Sequence, residues 1–413
     1  MPTVRGSAED FEVDPDWADI WFGAVHPMQI EVPRFHEALQ MIDERGGVAP
    51  AWFFPGMPCY VLTSHDDVHR AFLDTHTFSP RKTQEVMTFP ILGPTFLGYE
   101  GREHDLHRNV VARQFTKRRS EAYVPTLLEP QAHAVIDGFC ARGDADLMGE
   151  FGKQYPLAVI GGLLGIPIDD WDRMSAWASD LILGSDPDHQ QQSARAFREF
   201  LLPHVDSRRG RPADDILSLL ANGEVDGKAL TQQQIASFML LLFPAGADTT
   251  WLGIGNMMSA ILTTPGALEA LSADPELRHR AVEETLRWAP PVALVPRITA
   301  RDIEIRGVGI PADSLCLLGI AAANRDPSRF REPASWILDR RPNKHISFSF
   351  GEHFCLGAHI ARGEMRSALD AILDRLPGLR LVEEPTYWGA SIRGPDALRV
   401  TFDPSEPGRR ERR

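Results

Sequence analysis

The sequence predicts a mainly α-helical protein with a smaller β region, and three observations lead to this fold class. Amphipathic helical patterns separated by short polar links recur through residues 120–230. An apolar stretch of about thirty residues after Thr231 has the length of one long helix. Strand-like alternation is confined to residues 51–64, residues 292–314 and the end of the chain.

No linker rich in proline, glycine or serine divides the 413 residues, so we expect a single domain over residues 1–403. Residues 404–413 end in the basic run PGRRERR and are expected to form a disordered tail.

Composition excludes several functional classes. Lys+Arg 43 against Asp+Glu 57 gives a net charge of −14, which argues against a nucleic-acid partner. The four cysteines contain no CxxC pair, so neither a disulfide framework nor a zinc site is expected, and a reducing compartment fits. Because the N-terminus lacks the apolar core of a signal peptide and no apolar run reaches about 18 residues, we expect a cytoplasmic protein without a membrane anchor.

The first elements follow from local patterns. Residues 32–47 predict an amphipathic helix, residues 51–64 a hairpin turning at Pro55 and Gly56, and residues 65–74 a second helix. Residues 79–100 show no clean period although they are rich in apolar side chains. Such a segment is expected to be an apolar loop that covers another part of the molecule, and not a regular helix or strand.

Two charged pairs stand at helical spacing. His104 and Arg108 are four residues apart and share one helix face, which taken alone predicts a solvated surface. Glu284 and Arg287 are three residues apart, and such a pair contributes only a few tenths of a kcal/mol on a surface. Spacing alone therefore gives neither pair a function.

The long apolar stretch begins with a capping box at Thr231 and Gln234 and ends at Pro265. Its middle, PAGADTT, is poor material for a plain core helix, because proline and glycine both destabilise a helix interior. Small Ala245 and Gly246 would permit close approach to a flat ring, with the acid of Asp248 and the hydroxyl of Thr249 beside it. An equally weighted interpretation has Thr249 bonded back to the carbonyl of Ala245 and Asp248 paired with a lysine.

The stretch FSFGEHFCLG, residues 348–357, places Cys355 where a loop enters a helix. A helix N-terminus lowers the pKa of a thiol, and the thiolate is a good metal ligand. Gly351 and Gly357 would let the backbone approach a flat ligand closely. For Cys59, Cys140 and Cys316 the expected role is that of small buried hydrophobes.

The arrangement aromatic-x-x-Gly-x-His-x-Cys-x-Gly resembles the haem-binding loop of the cytochrome P450 family, in which the cysteine thiolate is the axial iron ligand. The HxxxR pair, the AGADTT stretch and the ExxR pair resemble further family elements and occur in the family's order, most like the soluble bacterial members. The resemblance implies the cytochrome P450 fold, with the long central helix crossing haem b and Cys355 holding the iron.

The resemblance also implies the roles of individual residues. The haem propionates would be bound by four residues: His104, Arg108, Arg297 and His353. Five others would contact haem: Ala245, Gly246, Phe348, Gly357 and the ligand Cys355. Asp248 and Thr249 would deliver protons as catalytic residues. Glu284, Arg287 and Arg340 would form a structural network. Pro244 and Ala247 depart from the commonest family pattern, which leaves the shape of the groove over the iron open.

A substrate pocket is implied by the family's flap, which corresponds to residues 79–100. The apolar candidates come from this flap, from residues 292–295 and from the C-terminal β region: Met87, Phe89, Ile91, Phe96, Val292, Leu294, Val295, Tyr387 and Trp388. They suggest a hydrophobic substrate such as a terpenoid, a steroid or another natural product.

The function implied is that of a haem-thiolate monooxygenase, a monomer that inserts one atom of O2 into a C–H bond of a hydrophobic small molecule. No flavin or iron–sulfur fingerprint occurs in the chain, so electrons would come from a ferredoxin and its NAD(P)H-dependent reductase. A basic patch would dock the ferredoxin: Arg113, Lys117, Arg118, Lys344, Arg362 and Arg366. The alternatives are a peroxide-driven peroxygenase on the same scaffold and a non-catalytic haem-binding sensor or carrier.

Overall fold

A computed structural model describes residues 11–25, 34–184 and 186–408 of the chain. Within these residues the protein is mainly helical with a smaller β region, as the sequence predicts. The helices are α1 Phe35–Glu44, α2 His65–Leu73, α3 Pro80–Met87, α4 Phe89–Leu92, α5 Gly101–Ala112, α6 Lys117–Tyr123, α7 Glu129–Asp137, α8 Gln154–Leu164, α9 Trp171–Leu183, α10 Pro187–Arg208, α11 Ile216–Ala221, α12 Gln232–Thr263, α13 Ala267–Ala273, α14 Arg278–Trp288, α15 Ile320–Ala323 and α16 Ala358–Arg375.

The strands are short and gather in several small sheets. They are β1 Val48–Phe54, β2 Met57–Leu62, β3 Phe78–Ser79, β4 Asp144–Asp146, β5 Glu224–Val225, β6 Lys228–Ala229, β7 Leu294–Thr299, β8 Ile303–Ile305, β9 Val308–Ile310, β10 Leu315–Gly319, β11 Arg380–Leu381, β12 Tyr387–Trp388, β13 Gly394–Pro395 and β14 Arg399–Thr401.

Helix α12 is the longest element and runs through the main core. The capping box is present: the Thr231 hydroxyl accepts from the Gln234 N–H at 3.2 Å, and the Gln234 side chain accepts from the Thr231 N–H at 3.0 Å. Its 32 residues span about 48 Å, and it packs against α8, α9, α14 and α16. The helix is long and apolar enough to cross a membrane, but 78% of its apolar window is buried inside the protein. It is a core helix.

The predicted hairpin is formed by β1 and β2, which pair antiparallel. These strands belong to a five-stranded sheet of order β1-β2-β10-β7-β3, in which β10 pairs with β2 in parallel and with β7 in antiparallel fashion. A second core of buried apolar side chains lies between this sheet and α1. The sheet therefore fixes β7, the strand that carries Arg297.

One expectation about an irregular segment is wrong, and the described part of the predicted tail makes contacts with the rest of the protein. Residues 79–100 contain α3 and α4, which are too short, at 8 and 4 residues, to leave a helical period in the sequence. The first half of the expected disordered tail is packed, because Ser405 donates its N–H to the Cys140 carbonyl and Gly408 donates to Asp137. The rest of that tail, residues 409–413, lies outside the described residues.

Candidate active site

The cysteine loop is held by its own backbone. The Cys355 N–H donates to the Phe348 carbonyl at 2.9 Å, and a short helical turn at Gly351–His353 lies between them. Gly351 has φ 75, in the left-handed region that suits glycine, and α16 begins just after Gly357. Of the four cysteines only Cys355 is exposed, so the loop presents its sulfur while the other three are buried as predicted.

The electrostatics of Cys355 correct one expectation. Although part of the Cys355 surface is accessible, the surrounding protein shields its thiol from bulk water and so raises the pKa of the thiol. This effect outweighs the N–H of Gly357 and the charges of Arg108 and Arg362, which lower that pKa. The helix terminus therefore does not by itself make Cys355 a thiolate. These donors and cations are nevertheless placed to stabilise the anion once a metal has displaced the proton.

A narrow window opens in the middle of α12. From Ser237 to Ile261 every residue is buried except Ala245, Gly246 and Thr249. Ala245 and Thr249 are four residues apart on one face, and the Thr249 hydroxyl donates to the Ala245 carbonyl at 3.0 Å. This is the back-bonded arrangement left open by the sequence. The helix thus presents a small methyl group and a hydroxyl on an accessible face.

Gly246 and Asp248 do not share the accessible face of Ala245 and Thr249. A Cβ added to Gly246 would lie 2.6 Å from Cδ1 of Ile160 on α8, so its missing side chain makes room for helix packing and not for a ring. Asp248 is buried and borders a cavity of about 10 Å³ together with Lys153 and Trp251. Because neighbouring helical residues are about 100° apart, the acid and the Thr249 hydroxyl do not face the same side, contrary to expectation.

Asp248 is a buried acid with an unusual proton affinity. Burial raises the pKa of its carboxyl to about 7, and the nearby charge of Lys153 opposes this rise. One carboxyl oxygen, Oδ2, has no hydrogen-bond partner among the described residues. The Lys153 ammonium lies 4.6 Å from the ring centre of Trp251, at the same cavity. The second half of the sequence alternative, an acid beside a lysine, is therefore also present.

Four basic groups converge near the cysteine loop: His104, Arg108, Arg297 and His353. The two imidazole rings lie 4.8 Å apart, and the Nε2 atom of each is buried without a hydrogen-bond partner among the described residues. Arg108 donates to the Phe354 carbonyl at 2.6 Å, while Arg297 donates to the Pro296 carbonyl at 2.8 Å. Among the described residues, His104 is the only one of these groups within 4 Å of a carboxylate: Asp105 and Glu352 lie 3.2 and 3.4 Å from its Nδ1 atom. Asp105 also acts on Arg108, but from a longer distance.

This basic cluster is under electrostatic strain. Burial lowers the pKa of Arg297 to about 10. Burial, followed by the positive groups of Arg297, His104 and Arg108, lowers the pKa of His353 to about 3. Burying like charges together is unfavourable unless an anion neutralises them. The cluster therefore has the chemistry of a receptor for carboxylates that come from outside the chain.

The Glu284 network is complete by contrast. Arg287 binds both carboxylate oxygens of Glu284, at 2.7 and 2.9 Å, and both residues are fully buried. Arg340 also contacts both oxygens, at 2.9 and 3.0 Å. The remaining guanidinium hydrogens of Arg287 reach the carbonyls of Asn324, Pro333 and Ser335. The three residues thus cross-link α14 to the segment that leads to the cysteine loop.

The predicted pocket residues divide between several surroundings. Strand alternation puts Val295 on the face of β7 that carries Arg297, whereas Leu294 lies on the opposite face in the sheet-side core. Leu294 is therefore a core residue. Val292 is half-buried and forms a β-bridge with Ile392. Ile392 was missed by sequence reasoning, and its only signal was its place beside a candidate strand.

Three further pocket candidates lie against other parts of the protein. Phe96 is buried in the core, 5.7 Å from the ring of Phe238. The Tyr387 hydroxyl donates to the Ser259 hydroxyl at 2.7 Å, about 15 Å beyond Thr249 along α12. Met87 packs against the sheet-side core.

The other candidates keep partial exposure. Phe89 and Ile91 are half-buried on α4, Phe348 lies under the Arg362 guanidinium at 4.4 Å, and the Trp388 indole nitrogen is buried without a partner among the described residues.

Half of the predicted basic patch is neutralised by ion pairs. Arg362 pairs with Glu283 at 2.7 Å, Arg366 with Asp370 at 2.8 Å and Lys117 with Glu121 at 3.9 Å. The other members, Arg113, Arg118 and Lys344, are exposed. Beside the cysteine loop the surface also carries the exposed apolar side chains of Leu73, Phe350 and Phe354.

The residues present fit haem. Within the described part of the chain, two imidazole nitrogens lack a hydrogen-bond partner and two arginines form no ion pair, which matches a flat group that carries two acidic arms. An accessible cysteine offers the soft ligand that iron accepts. Helix α16, which starts just behind Cys355, packs against α12, where Met365 contacts Gly253 one turn beyond Thr249. The fold and the site together define the class of thiolate-ligated haem proteins.

Comparison with known proteins identifies the family. The family model for cytochrome P450 matches residues 188–377. The vitamin D(3) 25-hydroxylase of Pseudonocardia autotrophica is 36% identical over 85% of this chain and 89% of its own length. The mycinamicin IV hydroxylase/epoxidase of Micromonospora griseorubida is 34% identical over 92% of this chain and 98% of its own. The structure of cytochrome P450 PksS of the Bacillus subtilis bacillaene polyketide synthase is similar with a TM-score of 0.83, at 29% identity, covering 90% of this chain and 98% of that one.

The chain belongs to the cytochrome P450 family. It is an oxidoreductase of a monooxygenase family whose named relatives include hydroxylases and an epoxidase. Membership implies a cysteine-ligated haem, redox partners and hydrophobic substrates.

Proposed function

We propose that this protein is a cytoplasmic haem-thiolate monooxygenase that hydroxylates a C–H bond of a hydrophobic natural product with O2 and electrons from a separate ferredoxin and reductase. The observation that carries the proposal is the basic cluster of His104, Arg108, Arg297 and His353 beside the one accessible cysteine. The helix that follows this cysteine, α16, packs against α12, which has a single window between Ser237 and Ile261. The cysteine would hold the iron, and the window would leave room for O2 and substrate.

Haem bound at Cys355 would supply the redox chemistry that activates O2. The protein's own contribution begins with the thiolate, which receives the Gly357 N–H and the fields of Arg108 and Arg362. His104, Arg108, Arg297 and His353 would orient the group by binding its two carboxylates. The Glu284 network would keep the cysteine loop in place.

Proton supply would come from the distal side. Asp248, with a pKa of about 7, both holds and releases a proton near neutral pH. The Thr249 hydroxyl is the accessible polar group of the window and already donates to the Ala245 carbonyl. Because Asp248 faces the Lys153 side, a proton moving from it to Thr249 must pass around the helix, by side-chain rotation or through water. Asp248 would therefore hold the proton that is later passed to Thr249.

The substrate pocket would be lined by side chains that share the Arg297 face of β7 or lie beside it. Val295, Val292 and Ile392 meet this condition, and together with Ala245 they are all small or aliphatic. Relatives of this chain are named for vitamin D(3), mycinamicin IV and steroids. These names and the aliphatic lining support a largely apolar polycyclic or polyketide substrate.

The family relationship supports a ferredoxin as the electron donor. Because the basic patch is half-neutralised, we place the docking surface on the exposed Leu73, Phe350 and Phe354, flanked by Arg113, Arg118 and Lys344. Aromatic side chains at the centre and cations at the rim form the usual anatomy of an interface.

The decisive variant is Cys355→Ser, with Cys316→Ala as a matched control at a buried cysteine. The reduced carbon monoxide complex of the wild type should show the strongly red-shifted Soret band of thiolate ligation. The band should be absent in Cys355→Ser and retained in the control. Retention of the band in Cys355→Ser would remove the assigned ligand.

The reaction is tested by supplying NADH, a ferredoxin, its reductase and 18O2 with hydrophobic compounds that change the haem spin state. The proposal requires O2 consumption and one 18O atom in the product. Product formed only with hydrogen peroxide would favour the peroxygenase, and ligand-dependent spectra without any turnover would favour the sensor.

A further inference from the structure

A second cavity, of about 530 Å³, lies apart from the cysteine loop, between α4, α10 and the first turns of α12. We call it the α10 groove. Its walls are contributed by Phe89 and Pro94 on the α4 side, by Arg198, Leu201 and Leu202 on α10, and by Gln233 on α12. A volume of this size accommodates a small organic ligand.

The α10 groove is separate from the cysteine loop and from the α12 window, although Phe89, one of the pocket candidates, lines it. The last α12 residue that lines it is Ser237, which is eight residues before Ala245 and therefore about 12 Å away along the axis. The intervening residues Phe238 to Pro244 are all buried. None of the residues around Cys355 borders the groove.

The lining is amphipathic. Phe89, Pro90, Pro94, Leu201 and Val205 provide apolar walls, and Leu202 is 42% exposed, which makes it one of the most accessible large apolar side chains among the described residues. An apolar ligand bound here would bury the exposed leucine side chain and the concave apolar wall, and burial of apolar surface favours binding.

The polar end of the groove is a cation without a counter-charge. Arg198 donates one guanidinium hydrogen to the Ile91 carbonyl at 2.7 Å, and no carboxylate of the described residues forms an ion pair with it. Burial and the adjacent charge of Arg195 both disfavour its charged form and lower its pKa. Other arginines of this acidic protein do have carboxylate partners, such as Arg208 with Asp215 and Arg81 with Glu103. An arginine that remains unpaired in a chain of net charge −14 is suited to an anion from outside.

We propose that the α10 groove binds an apolar molecule that carries a single carboxylate, with the carboxylate on Arg198 and the apolar body along Leu201, Leu202 and Phe89. Arg198 already ties α10 to α4 through Ile91, and α4 lies in the apolar segment that also contributes candidate pocket residues. A ligand in the groove would therefore lie against the contact that joins α10 to α4. The proposal stands independently of the monooxygenase reaction.

The test uses decanoate as the probe and the haem-loaded full chain, with an azole bound at the iron so that the haem cavity is already filled. Calorimetry should show one decanoate bound per chain. Arg198→Gln should weaken binding at least tenfold, whereas Arg195→Gln, which removes an exposed charge outside the groove, should change it less than twofold. Decan-1-ol should bind at least tenfold more weakly than decanoate and should be insensitive to Arg198→Gln.

A second pair of variants keeps the proposal testable if Arg198→Gln weakens the fold. Leu202→Gln should weaken the binding of both decanoate and decan-1-ol several-fold. The matched control Val382→Gln changes another exposed aliphatic side chain, 58% accessible, that does not line the groove, and it should have no effect. Decanoate binding that the azole abolishes, or that survives both Arg198→Gln and Leu202→Gln unchanged, would overturn the proposal.

Discussion

Two buried clusters of charge lie close to the cysteine loop, and they differ in whether the chain itself satisfies them. In the Glu284 network each carboxylate oxygen meets Arg287 and Arg340, and the remaining donors reach carbonyls. In the basic cluster, Arg297 and His353 meet no carboxylate of the described residues. The first cluster stabilises the fold without assistance, whereas the second becomes favourable only when an acidic group binds. Complete and incomplete polar networks therefore separate a structural role from a binding role.

The largest effect is expected from breaking the complete network. Glu284→Gln removes the negative charge shared by two buried arginines and should lower the free energy of unfolding by about 3–5 kcal/mol. The control Glu283→Gln affects a half-exposed carboxylate that pairs with Arg362 and His345, and it should cost about 1 kcal/mol. Urea unfolding of the haem-free protein measures both. Equal losses in the two variants would refute the distinction between the network and an ordinary ion pair.

A pH-dependent effect is expected at Asp248, a buried acid that belongs to neither cluster. Its folded pKa of about 7 exceeds the ordinary value of 3.8, so between these pH values the folded chain holds a proton that the unfolded chain has lost. Stability must therefore fall as the pH rises from about 4 to 7 and then level off. Asp248→Asn does not titrate, so above pH 7 it should be more stable than the wild type, by on the order of 4 kcal/mol.

The control for this prediction is the same comparison at low pH. At pH 4 both side chains are neutral, and the two proteins should unfold at nearly the same urea concentration. A stability difference that does not change between pH 4 and pH 8 would show that Asp248 does not carry the raised pKa.

The smallest effect is expected at the basic cluster. Its loss should not destabilise the haem-free protein but should weaken the binding of haem. Arg297→Met removes a buried cation without a counter-charge, so the haem-free protein should be as stable as the wild type or more stable. The same variant should release haem about 10–100-fold faster, because hydrogen bonds to a charged group contribute about 1.5–3 kcal/mol.

The haem transfer rate to apomyoglobin and the urea midpoint of the haem-free protein together check this prediction. Arg301→Met, at an exposed arginine two residues after β7, is the matched control and should change neither quantity. Loss of stability in the haem-free Arg297→Met protein would mean that Arg297 supports the fold as the Glu284 network does.

Much of the fold and site followed from short sequence patterns. The capping box at Thr231 fixed the start of α12, and the hairpin at Pro55–Gly56 formed as its turn residues indicate. The loop around Cys355 could be recognised because its glycines, histidine and cysteine lie within ten residues. Patterns of this kind depend on residues that are close together in the chain, so they can be recognised from the sequence alone.

Other features depended on partners far away in the sequence. Leu294 and Val295 are adjacent and equally apolar, yet the pairing of β7 with β10 sends one to the core and the other to the Arg297 face. Ser349 adopts a positive φ of 62, which nothing in its own side chain requires. Arg198 meets the Ile91 carbonyl across 107 residues. No local pattern encodes these contacts.

The sequence alone was enough to predict the cytochrome P450 family and to nominate Cys355 as the ligand, since the motifs that carry this information are contiguous or regularly spaced. Only the tertiary structure decided which way α12 is turned. Its packing against α8 directs Gly246 at Ile160, buries Asp248 beside Lys153 and leaves Ala245 and Thr249 on the accessible face. The rotation of a helix about its axis is set by the neighbours it packs against, and those neighbours are distant in the chain.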